Sequence, residues 1–385
     1  MNEYIYYPIL KWKQGEYRAL RNLRPEIKDR VCPIIEIPPV GYDQESRENR
    51  ITLDAHIKDI GIRLHNNWED RISFIDVSKL DIPEIQKPLY IKKIFDNCSN
   101  SFCRTIPVVS LGDGEQSLSV YKEIIEQQKR GCMLRVKISE IEDELTNKIM
   151  YILKKLNITT SEIYLLADLE RLHIEKENEE EIYNLLSGEL CKLINSFSWN
   201  TIIIAGSSFP EEITYGQQDN RYEWKFYKNF LDKIWRLPKE PRFADYYVLT
   251  PDHSFPIDGK KVKPKAKLRY TTDAGWYFDT TPTKSRKRKD VNEDDGNIKS
   301  GNQYKLLCQK LVNYPFFRGK YYSKGDEYIY EQATNLQKSG GNPSKWIEAS
   351  TDQHITKVVN DLSNLFGFSL RCEQGLLGLL EKTLE

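Results

Sequence analysis

Several carboxylates and cations of this chain stand at or near the ends of short apolar runs. Side chains placed that way can gather at one mouth of a parallel sheet or barrel. The clearest case is Ser161–Glu170, SEIYLLADLE, where Ile163, Tyr164, Leu165, Leu166 and Ala167 lead to Asp168 and Glu170. A continuous apolar run of strand length suits a strand covered on both faces. If the extended chain continues, a period of two points both carboxylates to one side. Glu36 closes VCPIIEI, Asp76 lies near the end of RISFIDV, and Arg135 and Lys137 share parity in GCMLRVKI. Lys11 follows YIYYPIL, Ser110 ends CRTIPVVS, Ser207 and Ser208 follow TIIIA, and Tyr247 lies in DYYVL with Thr250 just beyond.

These residue types point to acid–base work on a small anionic substrate. Glu36, Asp76 and Asp168 could serve as acid and base, because neighbouring carboxylates separate their proton affinities. Lys11, Arg135, Lys137 and Tyr247 could hold the anion, for example a phosphate- or nucleotide-containing molecule. A plainer reading uses the same residues. Glu36, Asp76, Arg135 and Asp168 can neutralise one another inside the upper part of a barrel, with no catalysis.

Other chemistries find less support. Glu36, Asp76, Asp168 and Glu170 offer hard oxygen ligands to a divalent metal, yet Arg135 and Lys137 compete for the same space. The five histidines, His56, His65, His173, His253 and His354, are scattered, with no HExxH. No cofactor is named by the sequence. GSSFP is not a nucleophile elbow, so Ser207 and Ser208 read as a turn. Lys11 as a Schiff-base lysine would need desolvation.

Eight strand-like runs position these groups: 4–10, 31–37, 71–77, 103–110, 131–138, 161–170, 201–205 and 245–249. Helical or polar segments separate them over roughly 250 residues, the rhythm of a (β/α)8 TIM-like barrel. An open doubly wound sheet is the alternative, but no GxGxxG turn follows the first run. The reading is therefore an α/β chain. Residues 1–265 form the eight-stranded core. Residues 266–315 hold a hairpin at AKLRYTTDAGWYFD, a charged loop over 283–299, and a last barrel helix at Tyr304–Leu311. Residues 316–385 form a helical C-terminal elaboration packed on the barrel, with helices near 325–336, 354–365 and 375–384.

Composition narrows the partners. Lys plus Arg equals Asp plus Glu at 57 each, so net charge argues for neither a nucleic-acid nor a membrane surface. No run of 18 apolar residues and no secretion signal is visible. The seven cysteines are odd in number and lack CxxC spacing. They read as buried thiols in a reducing compartment, which places the chain in the cytoplasm. Two stretches invite a nucleic-acid reading, KSRKRK at 284–289 and RGKYYSK at 318–324. The first is offset by the acidic residues that follow. The second can cap the barrel with half-buried tyrosines. Trp276 and Trp346 read as packing residues. Asp326 reads as a helix cap and His354 as a polar residue near a helix start.

YYPILKWKQGEYRAL with VCPIIEI near the N-terminus, and FRGKYYSKGDEYI, GNPSKW and TDQHITKVVNDL near the C-terminus, together resemble the beta protein family of phages and bacteria. The resemblance spans nearly the whole chain. It implies a link to phage–host biology and leaves the chemistry open. A ligand- or protein-binding scaffold in that setting is the alternative to an enzyme.

Overall fold

The computed structural model describes residues 4–43, 48–49, 51–233, 237–251, 266–280, 300–335 and 340–368. Eight strands form one sheet: Ile9–Lys11 (β1), Ile34–Glu36 (β2), Ile72–Asp76 (β3), Arg104–Ser110 (β4), Cys132–Lys137 (β5), Ile163–Arg171 (β6), Thr201–Ser207 (β7) and Arg242–Asp245 (β8). They stand in sequence order, and every neighbouring pair is parallel. A parallel bridge from Tyr6 to Phe243 joins the two ends, with the Tyr7 N–H 2.9 Å from the Phe243 carbonyl. The sheet therefore closes into a barrel.

Its outward residues pack beneath helices that follow the strands. These are Gln14–Asn22 (α1), Ile60–Trp68 (α2), Lys87–Asn100 (α3), Glu115–Gln128 (α4), Leu145–Leu156 (α5), Glu179–Asn195 (α6) and Tyr222–Lys233 (α7). Each turns an apolar stripe inward, such as Ile149, Ile152, Leu153 and Leu156 in α5. That is why a sequence of alternating strand and helix patterns closes around one core.

The last outer helix departs from expectation. Ser300–Leu311 (α8) buries Tyr304, Leu307, Cys308 and Leu311 in a second core, with Leu268, Tyr270, Tyr277, Ile329 and Trp346. The barrel is flanked at that place by Pro343–Phe366 (α10), whose Ile355, Val358, Val359 and Leu362 share the main core with Tyr6, Leu20 and Phe243. A helix of 24 residues runs about 36 Å, long enough to serve both cores. Its first turns supply Trp346 to one and its last turns close the other.

The second core is built on an antiparallel hairpin, Lys267–Thr271 (β9) and Trp276–Thr280 (β10), with Gln217–Asp219 added alongside β10. Lys324–Thr334 (α9) crosses α10 at Gly325, where a Cβ would stand 2.0 Å from the Ala349 carbonyl. Only glycine permits that contact. The cap of α9 is Ser323, whose hydroxyl accepts the Asp326 N–H at 3.0 Å. Asp326 was the expected cap, but its carboxylate instead accepts from Tyr270 and Ser323, each at 2.7 Å.

Strand eight ends earlier than the apolar pattern suggests. DYYVL has strand composition, yet Tyr247 takes a left-handed φ of +46° and the chain turns there. The charged loop at 283–299, its basic run at 284–289, and the helix read at 375–384 lie outside the described residues. Six of the seven cysteines are described, and all six are free thiols. No helix among the described residues is long and apolar enough to cross a membrane.

Candidate functional site

Strand parity builds the site. Ile9, Ile34, Phe74, Val108, Met133, Leu166, Ala205 and Ala244, one from each strand, belong to a small apolar core that fills the barrel. Two residues further along each strand, or just past its end, stand Lys11, Glu36, Asp76, Ser110, Arg135, Asp168, Ser207 and Tyr246. A period of two gives these the same inward face. An apolar layer is thus followed, toward the C-terminal mouth, by a polar and charged one.

Arg135 is the hub of that layer. Its Nε is 2.9 Å from Asp168 Oδ2. One terminal nitrogen lies 2.8 Å from Glu36 Oε1 and 2.6 Å from Asp76 Oδ2. The other lies 2.7 Å from Asp168 Oδ2 and also donates to the Tyr246 hydroxyl. These five hydrogen bonds match the five N–H donors of a guanidinium. Tyr246 in turn donates to Asp168 Oδ2 at 2.6 Å. None of the five side chains is more than 3% exposed. Burial works against the charge on Arg135, but Tyr246 and the three carboxylates around it hold its proton affinity well above the ordinary value. Burial, with the nearby carboxylates of Asp168 and Glu36, keeps the Tyr246 phenol protonated and donating.

Backbone turns fix the acids from outside. The N–H of Ser78 meets Asp76 Oδ1 at 2.8 Å, and that of Glu170 meets Asp168 Oδ1 at 2.9 Å. The N–H of Tyr247 meets Asp245 Oδ1 at 3.0 Å. In all three, a strand-end aspartate caps the N–H two residues on, a local turn that aspartate forms readily.

The remaining expected site residues separate. Lys11, also buried, pairs in register with Glu36 across β1 and β2. Lys137 sits at the half-exposed rim, 3.2 Å from Glu170. Glu170 does not share the side of Asp168. It has a φ of +55°, within a register shift between Asp168 and Arg171, and joins Lys137 and Ser139 at the rim. Tyr247 turns away from the cluster and donates to Glu16 Oε1 at 2.7 Å. Its neighbour Tyr246 takes the inward place that the sequence reading gave to Tyr247. Ser207 accepts the Phe209 N–H, and Ser208 donates to Glu223, so both serve turns.

A second buried cluster adjoins the first on the outer side of β8. Asp245 accepts from the Tyr6 hydroxyl at 2.6 Å, from Arg221 at 3.1 Å, and from His354 Nε2 at 3.0 Å. His354 Nδ1 lies 2.8 Å from the Thr271 hydroxyl. His354 therefore sits in mid-helix and ties α10 and the hairpin to the barrel. Sequence reasoning missed Asp245, Tyr246, Arg221 and Glu16. One signal was available: RFAD ends in two apolar residues and an aspartate, as do SFID and LLAD.

With this geometry in view, relatives can be compared. Residues 6–360 match the sequence pattern described as Beta protein. The chain belongs to the Beta protein family. Protein beta of Enterobacteria phage P4 is 21% identical over 369 residues, covering 92% of this chain and 93% of the phage protein. Among solved structures, active domain 2 of the Pyrococcus furiosus chitinase is similar over 63% of this chain and 83% of its own length, at 11% identity and a TM-score of 0.36. Triosephosphate isomerase from Bartonella henselae is similar over 62% of this chain and 90% of its own, at 9% identity and a TM-score of 0.29. Likenesses this remote carry no substrate or mechanism to this Beta protein.

The network makes one local prediction. Tyr246→Phe removes a donor to Asp168 and an acceptor from Arg135 while keeping the ring. It should cost about 1–3 kcal/mol, measured by urea unfolding. An unchanged midpoint would mean that the phenol is dispensable to the network.

Proposed function

We propose that this Beta protein is a barrel enzyme that performs acid–base chemistry on a small anionic molecule at its C-terminal mouth. The observation that carries the reading is a concentration of charge: three buried carboxylates converge on one guanidinium, with buried Lys11 beside Glu36 in the same layer. A barrel built for stability alone gains little from such a group, since packed apolar residues do as well or better. Carboxylates crowded together hold protons unequally, so one cluster can supply both an acid and a base. Asp168, Glu36 and Asp76 take those roles, and Arg135 positions them. Lys137 at the rim would meet the incoming anion first. A cavity of about 500 Å³ opens between the segments after β6 and β7, lined by Arg171, His173, Asn178, Ser208, Asn220 and Tyr222. It gives a ligand room at the same end of the barrel.

Mass spectrometry of small molecules carried by the purified full chain is the first test, with phosphate-bearing metabolites examined first. Asp168→Asn should then lower turnover of the molecule found by about 100-fold or more. A variant with all the parent's activity would sink the catalytic reading.

One observation favours a second reading. The members of the cluster are buried and hydrogen-bonded to one another. A non-catalytic scaffold that binds a ligand or protein in phage–host conflict needs no more than that. It expects Asp168→Asn to change stability and leave partner binding intact.

A further inference from the structure

Arg269 is the central residue of β9. Its neighbours Leu268 and Tyr270 face the second core, together with Tyr277 across the hairpin. Arg269 therefore shares the opposite face with Thr271, Trp276 and Phe278. That face meets the barrel, where Thr271 reaches His354 and Trp276 stacks on the His354 ring at 5.0 Å. The guanidinium carbon of Arg269 is 6.0 Å from the ring centre of Phe209, which follows β7. Tyr304, Tyr247 and Glu16 lie within electrostatic reach.

Its partners are few. One terminal nitrogen is 3.4 Å from the Lys267 carbonyl, and Nε is buried with no acceptor. No carboxylate of the described residues forms an ion pair with it, in contrast to Arg135 and Arg221. Glu16 is engaged by Tyr247, and its burial pushes its carboxyl toward the neutral form. Burial also works against the charge of Arg269 itself. The Nε1 of Trp276, on the same hairpin face, is a second buried donor with no acceptor. Arg269 as a whole is half-buried, but a cation whose Nε is buried and that has no counter-ion is costly, and a bound anion would offset that cost.

We propose that Arg269 anchors a small oxyanion, the phosphate or carboxylate group of a ligand, over the β7–β8 side of the barrel mouth. The proposal rests on the reading of the mouth as an anion-binding site and changes its anchor. Arg135 has no donor to spare, whereas Arg269 has most of its fork free. The hairpin, an addition to the barrel, would thereby contribute a specificity residue to it.

Isothermal titration of the full chain with inorganic phosphate, pyrophosphate and acetate tests this and separates the two oxyanion sources. Wild type and Lys154→Gln, altered on a distant exposed helix, should bind phosphate or acetate alike. Arg269→Gln should bind at least about 10-fold more weakly, with Arg269→Lys between. Arginine modification by phenylglyoxal needs no variant: the bound anion should protect the peptide containing Arg269. No binding by wild type, equal binding by Arg269→Gln, or an unprotected Arg269 peptide would each overturn the proposal. The acid–base reading fails separately. Asp168→Asn that binds the anion and keeps its turnover would remove the chemistry and leave the anchor standing.

Discussion

Arg135→Met should destabilise the protein by about 3–5 kcal/mol, because it strands three carboxylates in the barrel without their shared counter-ion. The unfolding temperature should fall by roughly 4–6 °C, read by calorimetry at neutral pH. Methionine fills much of the arginine's volume, so the loss reports charge more than a cavity. That attribution has its own check. Adding Glu36→Gln, Asp76→Asn and Asp168→Asn to the Arg135→Met chain removes the stranded charges and should recover most of the loss. If Arg135→Met alone matched the wild type, the guanidinium would not be the group that holds the mouth together. If the neutral quadruple variant stayed as unstable as Arg135→Met, packing would have outweighed charge.

The quadruple variant also bears on function. It keeps the shape of the mouth and loses the three carboxylates and the guanidinium of the cluster. An enzyme should come out folded and inert. A scaffold should come out folded and competent to bind.

Much of the frame was legible in the sequence because it follows from periodicity. Eight apolar runs spaced by helical segments can close only a few ways, and their place at or near the strand ends puts Arg135, Asp168 and Glu36 at one mouth. Their mutual contacts follow from the register of β2, β3, β5 and β6. Parity failed where the chain leaves extended geometry. Glu170 and Tyr247 both adopt left-handed backbone, and neither side chain joins the Arg135 cluster. The sequence DYYVL carries no glycine or asparagine to announce that turn. The turn is set partly locally, by the Asp245 carboxylate accepting the Tyr247 N–H, and partly by tertiary contact, since Tyr246 is held by Arg135 and Asp168.

The C-terminal half was less legible for a different reason. Its helices are amphipathic on faces that meet a hairpin tens of residues away, as in the bond from Tyr270 to Asp326, 56 residues apart. Local pattern says that α8 needs an apolar partner and does not say which. The long spacing between β8 and α10 hid the barrel's closing helix. Arg269 was invisible for the same reason, since its neighbours are assembled from β7, β8 and α1.

Asp245→Asn should cost about 2–4 kcal/mol at neutral pH, because it leaves Arg221 buried without its closest charge partner in β8 and weakens the tie to His354. The pH profile should change more tellingly than the size of the loss. Burial alone would raise the carboxyl of Asp245. His354, Arg221 and the Tyr6 hydroxyl outweigh that and hold it down to about 2. A depressed carboxyl stabilises the fold above its unfolded value, near 4. That contribution, about 2 kcal/mol, is lost as pH falls toward 2. His354 moves the other way relative to charge. Its burial lowers its proton affinity, and Asp245 only partly offsets this, so the folded protein resists protonation that the unfolded chain accepts. The contribution of this pair should therefore decline in two windows, first below about 6.5 and then between about 4 and 2. Asp326 and Asp352, whose burial raises their carboxyls to about 7 and about 6, favour the fold as pH falls. The pair's share is read as the difference between wild type and variant. Asp245→Asn should erase the lower window and steepen the upper one, because His354 loses the carboxylate that favours its protonated form. Denaturant titrations from pH 7.5 to 2.5 resolve the two. A parallel shift of the whole curve, with both windows unchanged, would show that Asp245 and His354 are not electrostatically linked.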